Sequence, residues 1–236
     1  MNKSCLLALI ASLATLSSTH AGDISGTVTL KGTPPPEKDI APLKDDPNCG
    51  KLHATMPKTR FYVTGADGGL ADVVVMLKGA AGKGSASTTP AVLDQHGCEY
   101  SPYVMAVQAG QKIMVKNSDP VLHNVHAVPQ VSGNNEKNQA QAPGGPDLTF
   151  TFDKPENFLK MQCDVHNWMF AYVTVADSPF FAVTDKEGKF TIKNVPDGKY
   201  TIVAMHRKAA PAASPATQEV EVKGGNVTSD FSLAVK

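Results

Sequence analysis

The chain is predicted to be all-β, and three observations carry that prediction. Apolar residues alternate over short runs, and no stretch keeps a helical period. Turn signals built on glycine, proline, asparagine and aspartate separate the runs. The 19 glycines and 17 prolines are enough to punctuate many short strands.

The first element is not a strand. Lys3 supplies a positive start, Cys5 to Leu16 an apolar stretch, and Thr19-His20-Ala21 a small-residue cleavage site before Gly22. Residues 1–21 are therefore expected to be an export signal, with an uncleaved anchor as the alternative. The apolar run is too short for a span. No other segment reaches spanning length, so a periplasmic product with no membrane span after signal removal is expected.

Ile24 to Leu30 alternates and runs into a Gly/Pro loop; Asp72 to Leu77 is a β-branched run after a turn at Gly68-Gly69. Residues 79–90 are linker-like. From about residue 91 to 177 the expected strands are Tyr103–Val107, Lys112–Asn117, His123–Pro129, Leu148–Phe152, Phe158–Cys163 and Phe170–Val175, with a polar loop from Ser132 to Pro146. The final part restarts at Phe181. Turns at Asp185-Lys186-Glu187-Gly188 and Val195-Pro196-Asp197-Gly198 place glycine where positive φ is wanted.

Charge excludes one class of function. The sequence has 22 basic and 22 acidic residues, so no field draws it to nucleic acid. Nor is there a Ser/His/Asp order, a phosphate-binding glycine loop or a carboxylate pair suited to catalysis; an enzyme is not expected.

The chemistry-bearing segment is Cys163-Asp164-Val165-His166-Asn167-Trp168-Met169, which sets a thiolate, an imidazole and a thioether at i, i+3 and i+6. Forty residues upstream, Asp119-Pro120-Val121-Leu122-His123-Asn124-Val125-His126 offers further imidazole. One Cys, two His and a weak axial Met form the donor set of a blue-copper electron-transfer site. His123 and His126 are three apart on a strand and face opposite sides, so only one can reach the ion. His126 is the alternative to His123. Discounting Cys5, three cysteines remain, and an exported chain should pair two of them. Cys163 has His and Met at ligand spacing, which leaves Cys49 and Cys98 for the disulfide; a Cys98–Cys163 bridge is the alternative.

Two resemblances extend this reading. Residues 91–177, through Pro120-Val121-Leu122-His123-Asn124-Val125 and the short Cys163-x-x-His166-x-x-Met169 loop, resemble the cupredoxin family, of amicyanin and plastocyanin-like type. The resemblance implies a Greek-key β-sandwich holding one type 1 copper. His123, Cys163 and His166 would be the strong ligands and Met169 the long axial one, with Asn124 bonded across to the ligand loop. One imidazole edge would be exposed, with Trp168 either exposed beside it as a docking aromatic or packed in the loop. Thr184-Asp185-Lys186-Glu187-Gly188-Lys189-Phe190 and Pro196-Asp197-Gly198-Lys199-Tyr200 resemble the carboxypeptidase-regulatory-like β-sandwich. That implies one sandwich split between residues 22–80 and 178–236, with the copper domain inserted at 91–177; two sandwiches in series is the alternative.

The expected function is a periplasmic carrier of single electrons between redox proteins, a cytochrome or dehydrogenase. The alternatives are a copper-binding or delivery module, and an envelope binding sandwich with a vestigial metal site.

Overall fold

The computed structural model describes residues 20–85, 87–210 and 216–235. Apart from His20 and Ala21, the expected export signal lies outside the described residues. No helix among the described residues is long and apolar enough to cross a membrane.

The chain is nearly all β. In order, the strands are β1 (Ala21–Lys31), β2 (Val74–Lys78), β3 (Ala91–His96), β4 (Glu99–Ser101), β5 (Val104–Gln108), β6 (Ile113–Asn117), β7 (His123–Val128), β8 (Lys137–Gln141), β9 (Leu148–Phe150), β10 (Glu156–Gln162) and β11 (Phe170–Ala176). They continue as β12 (Phe181–Val183), β13 (Lys189–Pro196), β14 (Gly198–Met205), β15 (Ala209–Ala210), β16 (Ala216–Val222), β17 (Val227–Thr228) and β18 (Phe231–Val235). Among the described residues a single five-residue α-helix, α1 (Ala41–Asp45), lies between β1 and β2.

Four sheets result. Strands from the two ends of the chain make the orders β13-β1-β18-β15, with β17 also on β1, and β12-β2-β14-β16. Their inner faces share one core, in which Ile24, Val28, Leu77, Phe190, Ile202 and Phe231 are buried. Strands β3 to β11 pair only among themselves, as β5-β11-β10-β7-β8 and β4-β3-β6-β9. Leu93, Ile113, Val125, Met161 and Val173 lie in a second core between those sheets.

Local sequence explains these elements. Phe190 and Ile192 of β13 are buried while Lys189, Thr191 and Lys193 are exposed, the alternation of a half-buried strand. The second half of β14, Ile202 to Met205, is buried on both faces. Its outward Val203 and Met205 pack with Val74 against Tyr103 and Val104 of the central unit. A continuous apolar run is the signature of a doubly covered strand. Gly188 closes the β12–β13 turn at φ +76°, and a Cβ there would lie 2.4 Å from the Val28 carbonyl oxygen.

The polar stretch Ser132 to Pro146, expected as a loop, contains strand β8. It pairs along the outer side of β7, from His123↔Gln141 to Ala127↔Lys137. As a mostly exposed edge strand it has little apolar surface to bury, so the alternation that would reveal it is missing. β3 and β4 lack a clear pattern in the sequence too. They form a tight hairpin whose turn, Gly97-Cys98, has φ +65° and +55°.

Candidate metal centre

Sheet register brings the chemistry to one pole. β7 and β10 run antiparallel with His126 opposite Gln162, and β10 and β11 run antiparallel with Gln162 opposite Phe170. The start of β7, the end of β10 and the start of β11 therefore lie together. His123 opens β7, and residues 163–169 form the loop between β10 and β11.

Three of the four expected donors form one buried group. His123, Cys163 and His166 place a ring nitrogen, a sulfur and a ring nitrogen all within 4.8 Å of one another. His123 Nδ1 and His166 Nδ1 are 3.0 Å apart, and Cys163 Sγ is 3.7 Å from His166 Nδ1. Those separations are short enough for His123, Cys163 and His166 to hold one ion together. Met169 is 1% exposed, in the same core cluster as Cys163. Its backbone closes the loop: Cys163 N–H donates to the Met169 carbonyl at 3.0 Å, and Met169 N–H to that of His166 at 2.9 Å.

Asp119 orients His123. One carboxylate oxygen lies 2.9 Å from His123 Nε2 and also accepts the Cys98 N–H at 2.7 Å; the other accepts the Gly97 N–H at 2.6 Å. A carboxylate on Nε2 holds the ring so that Nδ1 faces the site. Burial would raise the Asp119 carboxyl, but the His123 and backbone hydrogen bonds outweigh it and hold it below its ordinary value. The same competition governs Cys163: burial opposes ionisation, yet hydrogen bonds from His123 and from the Asn124, His166 and Val165 backbone lower its pKa. His166 is lowered by burial first and by the His123 charge next. Cys163 is thus biased toward the thiolate and His166 toward the neutral ring, the forms that bind a metal, whereas for His123 burial is outweighed by Asp119 and Cys163, which raise its pKa.

Asn124 bonds to the ligand loop, as its position beside His123 suggests. Its Oδ1 accepts the Asp164 N–H at 2.7 Å and the Val165 N–H at 3.4 Å, while its own N–H points at Cys163 Sγ at 3.5 Å. His126 faces the other side of β7. Its ring bridges Asp164 and Glu136, each within about 3 Å, and it is not part of the donor group. Asp164 also accepts from Asn138 and Gln162, and these contacts, that from His126 foremost, hold its pKa at about 2.

Cys49 and Cys98 form the disulfide, and Cys163 is free. The bridge ties a strap, residues 39–58, over the ligand pole. Cys49 Sγ lies 3.8 Å from His166 Nε2, and the buried Leu43, Cys49 and Cys98 pack with Ile40, Met56 and Trp168. This corrects the expectation of an exposed imidazole edge: His166 is only 7% exposed. Trp168 is packed, its ring 5.0 Å from that of His166 and its Nε1–H donating to the Cys98 carbonyl at 3.1 Å. The groups Asp46/Cys49/His166 and Cys98/Asp119/His123 also cluster, but each needs a disulfide sulfur and so lacks a thiolate.

Neither Asp119 nor the strap stands out in the sequence as part of the site. The carboxylate four residues before His123 was a usable signal, because ligating histidines commonly hold a carboxylate on the second nitrogen. The strap carried no periodic signal.

No protein-family model and no curated protein matches the sequence. Solved structures with partial likeness are cupredoxins and a relative. An amicyanin variant holding Cu(I) is 20% identical over 43% of this chain and 98% of its own, with a TM-score of 0.34. The Cu-containing nitrite reductase of Thermus scotoductus SA-01 is 20% identical over 41% of this chain, at a TM-score of 0.34; this chain spans only 24% of it. A purple cupredoxin from Nitrosopumilus maritimus is 20% identical over 36% of this chain and 99% of its own, at 0.31. Likeness at this level assigns no residue a role.

Proposed function

We propose that the chain is an exported protein that binds one type 1 copper and carries single electrons between redox partners of the cytochrome or dehydrogenase kind. One observation carries this reading: two imidazole Nδ1 atoms and a free thiol meet in a buried group beside Met169. The donor chemistry fits copper, since soft sulfur suits Cu(I) and imidazole suits both oxidation states. Copper bound there would supply a one-electron couple.

The chain's residues do the rest. Asp119 fixes the His123 ring, Asn124 holds the Cys163 loop, and the strap keeps water from His166. Little reorganisation is needed when surrounding dipoles are already placed. Leu122 and Val165, each directly before a ligand histidine, are 52% and 61% exposed. They supply an apolar surface for a partner beside the centre. The delivery alternative needs the ligands to exchange. Exposures of 0%, 2% and 7% for His123, Cys163 and His166 favour retention instead.

Export is supported by the leader pattern in residues 1–21 and by the disulfide, which persists in oxidising compartments. A carboxypeptidase-regulatory-like sandwich divided between residues 22–80 and 178–236 is supported by the pairing of β1 with β13 and β18, and of β2 with β12 and β14. It would serve as the rigid base for the copper unit.

The test is the visible and paramagnetic spectrum of the copper-loaded protein. An intense thiolate-to-copper band that bleaches reversibly on reduction, and disappears in Cys163→Ser, is the expected result. Stoichiometric copper without that band would reject the electron-carrier reading, and absence of bound copper would reject the site.

A further inference from the structure

Between the strap and the central unit lies a cavity of about 590 Å³, a size typical of pockets for small organic ligands. Its apolar walls are aromatic: Phe61, Tyr103, Trp168 and Phe170 line it. Two bases and two acids line it, Lys58 and Arg60 against Glu99 and Asp119. Lys58 makes no ion pair among the described residues and is the cation left to bind. Arg60 contacts Asp72 at 2.9 Å and lies 5.4 Å from the centre of the Tyr103 ring, so it sits on the aromatic wall. Of the two acids at the cavity, Asp119 is already engaged by His123, Gly97 and Cys98. Glu99 alone remains, its carboxyl raised by burial despite His53 and Arg60 nearby.

We propose that this cavity binds a small aromatic carboxylate, with its ring against Tyr103 and Trp168 and its charge at Lys58 and Arg60. Each part of that ligand answers a feature of the site. A bare inorganic anion would leave the aromatic walls in water. An aromatic cation would meet Lys58 and Arg60 with like charge. A ring hydroxyl has a partner in Glu99, which makes no side-chain hydrogen bond among the described residues. The occupant would also touch the ligand loop, because Trp168 and Met169 both line the cavity and Trp168 lies against His166. Binding itself needs no metal and stands apart from the copper reading.

Trp168 is the single tryptophan of the chain, so its fluorescence reports on this wall alone. The metal-free full chain is titrated with 4-hydroxybenzoate, by fluorescence and by calorimetry, and in parallel with its methyl ester and with 4-hydroxybenzylamine. Saturable binding of the acid is expected, at least about tenfold tighter than that of either comparator, and about tenfold weakened in Lys58→Glu. Lys58 is exposed, so that variant should melt at the wild-type temperature. No saturable signal up to concentrations on the order of 1 mM (an affinity of only about 4 kcal/mol) would overturn the proposal. So would equal binding of the amine, or Lys58→Glu binding like wild type.

Discussion

His166 presents opposite edges of one ring to two different sulfurs: Nδ1 lies 3.7 Å from the free thiol of Cys163, and Nε2 lies 3.8 Å from the disulfide sulfur of Cys49. The disulfide is therefore a wall of the candidate metal centre as well as a crosslink. Removing it should have two separable effects.

The first is on stability. The bridge closes a loop between positions 49 residues apart, and the chain-entropy estimate for that length is about 4 kcal/mol. Cys49→Ala/Cys98→Ala should lower the unfolding free energy by about 2–4 kcal/mol in denaturant titrations. The second is on access. A chelator should strip bound copper faster from the double variant, measured as decay of the thiolate band at one pH. Unchanged stripping would mean that the strap does not cover the centre.

Asp119→Asn keeps the shape of the side chain but loses the charge that holds His123 Nε2. Supporting carboxylates of this kind are commonly worth about 10–100-fold in metal affinity. A competition titration against a chelator should show a loss in that range. Asn124→Asp would be a poor control, because it adds charge beside Cys163.

His206 is buried and stacked on Tyr62, and burial, then the charge of Arg207, depresses its pKa from 6.5 to about 4. Above pH 6.5 it is neutral folded or unfolded and contributes no pH dependence. As pH falls, the unfolded chain takes the proton first, so stability is lost between about 6.5 and about 4. The full loss is roughly 3 kcal/mol. Unfolding of the metal-free protein in urea across that range should show the slope, and His206→Gln should flatten it. Parallel profiles for the two proteins would mean that His206 is not held neutral.

Gly188→Ala places a methyl 2.4 Å from the Val28 carbonyl oxygen at a residue with φ +76°. The left-handed conformation alone costs a non-glycine residue about 1–2 kcal/mol, and the contact adds to it. A loss of at least about 2 kcal/mol is expected. The copper-loaded spectrum of the candidate metal centre should not change, which separates this substitution from those around His123, Cys163 and His166.

Much of this was visible in the residues alone, for a local reason. The two-residue alternation of Lys189 to Lys193 and the glycine-bearing turn at 185–188 declare strand and turn because burial and φ act on neighbours. Cys163 and His166 could be singled out because they share one seven-residue loop with Met169. The opposed directions of His123 and His126 follow from the period of a strand.

What the residues did not reveal depends on contacts remote in sequence. β8 is polar because it is an edge, and only its pairing to β7 makes it a strand. Asp119 becomes a partner of His123 only once the Gly97-Cys98 turn delivers two N–H groups to its oxygens. Residues 39–58 lack periodicity, and it is the bond from Cys49 to Cys98 that lays them over His166 and packs Trp168 inward. Sequence by itself determined the all-β character and the kinds of atom available to a metal. Tertiary structure alone decided how covered those atoms are, because burial is a property of segments that meet from far apart along the chain.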